Sequence, residues 1–267
     1  MQAEDFEYDG EYLKDWGYSI CRIDSPSGFD TIDSDSQLSF SNTLLTNGKE
    51  MPLTVSQYEN RVEITFCIYK SFCHKRKPIP ITVQESSKIK RWLNRPTFHK
   101  FKLIQPDWSN IYMNGSFNVN NIEVNGLVYL LELTFVSDRP FALHEPITYN
   151  ILASKANESY SIYDISDEIG YLYPTVTLKC LESGDLKISN SNDGRVTMIK
   201  NCQKNEIITF SPELYFSTSL LTHKIQNDFN YNFLRISNNY RDRKNVLTFS
   251  LPVECTITYS PIVKAVQ

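Results

Sequence analysis

His144-Glu145 is the nearest this sequence comes to a metal-ligating pair. Pro146 follows at once, so the helix that would carry a second histidine onto the same face cannot form there. The other histidines, His74, His99 and His223, stand alone, and each is expected to be a surface or packed residue. Asp33 and Asp35 alternate within DTIDSDSQLS as calcium ligands do. The glycine at the sixth position and the distal bidentate glutamate are missing, which leaves a solvated acidic loop. Asp167-Glu168 offers two carboxylates, yet glycoside hydrolysis needs them about 5 Å or about 6.5–9.5 Å apart, a spacing that adjacency does not set. Only 9 glycines occur and none are spaced as GxG, so neither a dinucleotide loop nor a phosphate cradle can be built. No catalytic residue, cofactor or metal is expected.

Six cysteines, Cys21, Cys67, Cys73, Cys180, Cys202 and Cys255, are scattered without a CxxC pair and read as reduced, buried thiols. The sequons at Asn114 and Asn157 carry little meaning without secretion. A formal net charge of -4 and a pI near 5.7 offer no long-range attraction for nucleic acid or an anionic membrane. The opening MQAEDFEYDG is acidic with no apolar core, and no run of eighteen apolar residues follows. Synthesis and folding in the cytoplasm, without membrane insertion, are therefore expected.

The elements that must position any site are mostly strands. RVEITFCIY places Val62, Ile64, Phe66 and Ile68 on one face, and LVYLLELTFV does the same for Leu127, Tyr129, Leu131, Leu133 and Phe135. DLKIS and RVTMI flank Asp193-Gly194, a hairpin signal, and EIITF, NVLTFSL and CTITYSPI continue the pattern. TVQESSKIKRWLN differs. Thr82 and Glu85 have capping-box spacing, Ile89, Trp92 and Leu93 share one apolar face, and Asn94 with Pro96 stops the helix. With 267 residues, 41% of them hydrophobic and 13% aromatic, two β-sandwich domains can be filled. The prolines of SDRPFALHEP mark a division into residues 1–142 and 143–267. In the second part, Tyr171, Tyr173, Tyr215, Phe216, Tyr231, Phe233 and Tyr240 could form a sugar-stacking platform, but alternating strands predict that they pack.

Taken in order, these segments resemble the distal tail proteins of long non-contractile-tailed phages and prophages of Gram-positive hosts. FEYDGEYLKDWGYSI, with Asp15 and Gly17, is similar to the family's first hairpin. IKRWLN resembles its signature helix, FHKFKLI the strand after it, and LTFVSDRPFA its closing strand. ISDEIGYLYPTVTLKC resembles the entry to a second, galectin-like sandwich, which NEIITFSPELYF, DFNYNFLRI and CTITYSP continue. The stretch from Ser25 to Asn60 departs from the pattern.

The resemblance implies a mainly β protein that works by assembly in the virion, at the distal end of the tail. Six copies would close into a ring, with the first sandwich and its helix lining the channel and the second sandwich outside. The implied partners are further copies of the chain, the tail tube protein, the tail-tip or tail-associated lysin protein, and in some members the receptor-binding proteins; tape measure and DNA pass through. Ile89, Trp92 and Leu93 would anchor the helix. Head-to-tail closure needs two different patches on each protomer. Asp30, Asp33 and Asp35, near Asp24, and Lys75, Arg76 and Lys77, near Lys70, are the candidate pair. A carbohydrate-binding adhesin is the alternative, and a glycosidase using Asp167 or Glu168 a third reading.

Overall fold

The computed structural model describes residues 3–21, 38–43, 53–58, 61–72, 75–108, 110–239 and 241–264. The chain divides into two compact units, Met1–Leu143 joined by the chain end from Val263, and His144–Ile262.

In the first unit the helix runs from Val83 to Leu93. Extended Thr82 caps it: its hydroxyl accepts the Glu85 amide at 3.3 Å, and the Glu85 carboxylate accepts the Thr82 amide at 3.0 Å. Glu85 also ion-pairs with Lys70. That hydrogen bond, helped by the Thr82 amide, holds the Glu85 carboxyl down at about 2. The start of the helix is thereby tied to the strand Glu63–Phe72. On its inner face Ile89, Trp92 and Leu93 are buried. The Trp92 indole stacks between Phe6 (centroids 5.7 Å, planes 11° apart) and Trp16 (5.0 Å, 10°). Its Nε1–H donates to the Tyr8 carbonyl at 3.2 Å.

The main antiparallel sheet runs in the order Glu11–Tyr12, Asp5–Tyr8, His99–Ile104, Ile111–Val124, Leu127–Ser137, Glu63–Phe72, Tyr18–Cys21. Phe6 and Phe66 lie on strands four places apart, ~19 Å if the sheet were flat. Their rings are 5.7 Å apart. The sheet therefore folds over on itself and encloses one aromatic core, in which Phe101, Phe117 and Phe135 also meet. Glu63 and Thr65 face outward, while Val62, Ile64, Phe66 and Ile68 all turn inward. Gly115 makes room for the Phe135 ring, since a Cβ there would sit 2.4 Å from it. The alternation read for Leu127 to Phe135 holds only from Leu131 onward. A register shift between Val128 and Leu130 interrupts the ladder, and Leu127 near the Asn125-Gly126 turn is 49% exposed.

The second unit is a two-sheet sandwich. Five strands, Ile147–Ala153, Val253–Tyr259, Thr175–Cys180, Ile207–Phe210 and Phe216–Thr218, face four, Glu158–Tyr163, Lys244–Phe249, Gly184–Asn190 and Val196–Cys202. Inward residues such as Leu178, Ile257, Leu186 and Phe249 alternate along them and form one core. Buried amides stitch the ribbon Gly170–Leu172/Ile236–Asn238 in place. Asn190 donates to Asn245 Oδ1 at 2.8 Å, Asn245 to the Ser237 carbonyl at 2.9 Å, and Asn238 to the Ser166 carbonyl at 2.7 Å.

Trp92→Ala removes the middle ring of the stack, and a buried Trp truncated to Ala costs about 3–5 kcal/mol. The first unit is expected to melt well before the second in differential scanning calorimetry of the variant. A single unshifted transition would show that the stack contributes little.

Candidate functional site

Ile89, Trp92 and Leu93 are 1%, 6% and 0% exposed, so their work is packing. Asp24, Asp30, Asp33 and Asp35 lie outside the described residues. Lys75, Arg76 and Lys77 belong to a short strand, Lys75–Pro78, antiparallel to Glu63–Phe72, with Phe72 opposite Lys75 and Ser71 opposite Pro78. Their side chains are outside those described. A basic loop is what composition suggests here; a four-residue charged strand has no apolar alternation by which to recognise it.

A more informative surface is the two-stranded hairpin Leu38–Thr43/Leu53–Tyr58, whose strands pair with each other and with no third strand among the described residues. Tyr58 packs edge-on to Phe141 at 4.8 Å. Leu38, Phe40 and Val55 are 46%, 68% and 46% exposed. A lone hairpin is marginal in water, and these apolar side chains lie on both of its faces. Leu38-Ser39-Phe40-Ser41 and Leu53-Thr54-Val55-Ser56 do alternate, a short signal that the sequence reading passed over within Ser25 to Asn60.

The aromatic residues of the second unit do not all pack. Phe233 is buried, and Tyr173 and Phe216 are partly so, but Tyr171, Tyr215 and Tyr231 are 54%, 73% and 55% exposed; Tyr240 lies outside the described residues. The expectation fails where the rings leave the strands of the sandwich. Tyr231 has a left-handed backbone (φ 57°), Tyr215 follows Leu214, whose φ is 64°, and Tyr171 sits on the short ribbon. Tyr231 leans edge-on to Phe216 at 5.7 Å, while Tyr171 carries the Arg235 guanidinium 4.2 Å from its ring centre.

A buried polar cluster surrounds His223, a residue that stands alone in the sequence. Its Nδ1 lies 2.6 Å from Glu206 Oε1, and its Nε2 is 3.2 Å from Asp228 Oδ2, an ion contact without hydrogen-bond alignment. Glu206 also accepts from the Thr218 hydroxyl at 2.5 Å and the Gln203 amide at 2.8 Å. Burial opposes a charge on His223, but the Glu206 hydrogen bond and the negative groups around it outweigh burial and raise its pKa. The arrangement is a buried ion cluster in which the fold itself engages both Glu206 oxygens. Among the described residues no group of His, Cys, Asp and Glu could hold a metal ion. Glu168 lines a hollow with Asp164, Ser166, Tyr171 and Asn238 that encloses about 230 Å³ including its open mouth. Among the described residues no helix is long and apolar enough to cross a membrane.

Residues 1–139 match the family model of a phage tail protein N-terminal domain, and residues 141–259 that of a phage tail C-terminal domain. No curated protein matches. Among solved structures, the SPP1 Dit (gp 19.1) protein, described as a paradigm of the hub adsorption apparatus in Gram-positive infecting phages, superimposes with a TM-score of 0.68. The identity is 11%, over 97% of this chain and 99% of that one, so the two share a fold. A chain of the phage P2 baseplate in its activated conformation with Ca aligns over 97% and 98% at 10% identity, with a TM-score of only 0.43.

The His223 cluster generates a prediction for the second unit. Because the folded-state pKa is raised above the ordinary 6.5, its stabilisation is fully present below that value and is lost as pH rises through the folded pKa. Melting temperature is expected to fall across that window, and His223→Gln to flatten the dependence. An equal slope in parent and variant would show that the cluster does not titrate on unfolding.

Proposed function

Since the chain belongs to the phage tail protein family, with both the N-terminal and the C-terminal domain of that family present, we propose that it is the hub at the distal end of the tail. Six copies close into a ring that joins the tail tube to the tail-tip or tail-associated lysin protein, and that offers its second sandwich to receptor-binding proteins. The observation that carries this reading is the Dit fold along nearly the whole chain. Support comes from the first unit, whose hairpin Leu38–Tyr58 exposes Leu38, Phe40 and Val55 without a neighbour strand to cover them among the described residues. A second copy of the chain is the natural cover in a closed ring. The role is structural, with no turnover.

Asp30, Asp33 and Asp35 on one side and Lys75, Arg76 and Lys77 on the other are proposed as the charged patches that set the register between protomers. Exposed ion pairs are worth only ~0–1 kcal/mol each, so their effect lies in complementarity and rate of assembly. Negative-stain imaging of the purified chain is expected to show closed rings of one size. Changing Lys75, Arg76 and Lys77 to Glu should reduce ring formation at low salt in sedimentation, and changing Asp30, Asp33 and Asp35 to Lys as well should restore it. A parent chain that stays monomeric with and without tube protein would remove the hub reading. Disruption without rescue would remove the charge pairing alone.

The exposed Tyr171, Tyr215 and Tyr231 favour a second reading, a carbohydrate-binding adhesin, since aromatic rings stack on sugar faces. The hub reading predicts no saturable binding when cell-wall sugars are titrated to millimolar levels. Binding that Tyr171→Ala or Tyr231→Ala abolishes would put the adhesin first.

A further inference from the structure

Cys21 and Cys67 are free thiols on neighbouring strands of the first unit. The strand Tyr18–Cys21 runs antiparallel to Glu63–Phe72, and the register places Cys21 directly opposite Cys67. Partners so placed have Cα atoms about 4.5–5.5 Å apart and side chains on the same face. A disulfide needs Cα atoms about 4.4–6.8 Å apart. The face they share is the one opposite Ile64, Phe66 and Ile68, so closure would not disturb the aromatic core. Cys67 is 4% exposed, whereas Cys21 is half-buried and within reach of a reagent.

We propose that Cys21 and Cys67 form a redox-modification site, closing into a cross-strand disulfide when the chain meets a low-molecular-weight disulfide such as oxidised glutathione. The Cys21 thiolate attacks one sulfur of the reagent, whose S–S bond breaks to release one reduced thiol, and a mixed disulfide remains on Cys21. Cys67 then loses its proton to solvent and attacks the Cys21 Sγ, expelling the second thiol. The protein pair is oxidised by two electrons and the reagent reduced by two.

The bond has a mechanical consequence. Tyr18–Cys21 ends the main sheet's strand order, paired among the described residues only to Glu63–Phe72. Linking residues 21 and 67 fastens this edge and closes into one covalent loop the whole excursion that carries the hairpin Leu38–Tyr58. Burial pushes the Cys67 thiol up to about 11, with the charges of Cys21 and Glu132 adding to it, and burial also raises Cys21. Exchange should therefore quicken as the medium becomes alkaline, because the thiolate is the nucleophile.

The remaining described cysteines provide the internal control. Cys180 and Cys202 also interact directly, as thiols facing each other from the two sheets of the second unit, but both are 0% exposed, and Cys255 is 2% exposed. A reagent in solution should reach Cys21 first.

The test incubates the full chain with oxidised glutathione, alkylates the remaining thiols and maps the peptides by mass. The expected product is a Cys21–Cys67 linked peptide, lighter by two hydrogens, abolished by reductant and accompanied by a higher melting temperature of the first unit. In Cys67→Ala, Cys21 should stop at the glutathione adduct. The proposal is overturned if the parent chain accumulates that adduct without closing, if Cys21 joins Cys73, if Cys180 and Cys202 oxidise while this pair stays reduced, or if neither thiol reacts while a free cysteine peptide equilibrates.

Discussion

The stacked triplet of Phe6, Trp92 and Trp16 is the contact on which the first unit depends, because it seats the helix on the first strand and on the turn that follows that strand. Phe6 comes from the first strand, Trp16 from the turn that follows, and Trp92 from the last turn of the helix. The stacked rings hold the indole along its ring normal, and the hydrogen bond to the Tyr8 carbonyl holds it within its plane. The effect extends further. The Tyr8 hydroxyl donates to the Gly115 carbonyl at 3.2 Å, and Gly115 is where the Phe135 ring presses on the backbone. One packing chain thus runs from the helix, through the first strand, to the two long strands of the sheet.

The second unit is held differently. Its core is largely aliphatic between two sheets, and its margins rely on paired polar side chains: the Asn190–Asn245–Ser237 bonds, the Asp193–Arg235 ion pair at 2.5 Å and the Glu206–His223 contact. Buried polar groups are stable when each has its partners and costly when one is missing. Here those partners are other parts of the fold, and His223 Nε2, 3.2 Å from Asp228 Oδ2, is held by charge alone. On its surface, exposed tyrosines stand outside the strands of the sandwich.

Assembly is the kind of function such a molecule can perform. A tail protein must present surfaces to several neighbours, and its energetic resources are exposed apolar side chains and charge rather than an enclosed site. The hairpin Leu38–Tyr58 fits this logic because it forms its own ladder and leaves apolar side chains open on both faces. The charged stretches proposed for register would refine what apolar burial drives, as charge discriminates between arrangements more than it adds affinity.

The capping box at Thr82 and Glu85, the apolar stripe of the helix, the inward face of Val62 to Ile68 and the Asp193-Gly194 turn are all legible in the sequence, because each depends on residues a few positions apart. So is the family likeness, carried by the order of such local pieces. Long-range contacts decided the rest. That Phe6 touches Phe66 follows from the sheet's curl; that Cys21 faces Cys67 follows from register; that His223 is buried between Glu206 and Asp228 follows from the meeting of separate loops. Tyr215 and Tyr231 turn outward because left-handed backbone at Leu214 and Tyr231, invisible to a period-of-two pattern, takes them out of the alternating strands. Sequence period reports which face of an element is apolar. Only the tertiary structure decides what that face, or an isolated polar residue, finds opposite it, since such partners lie tens of positions away and are brought together by the fold as a whole.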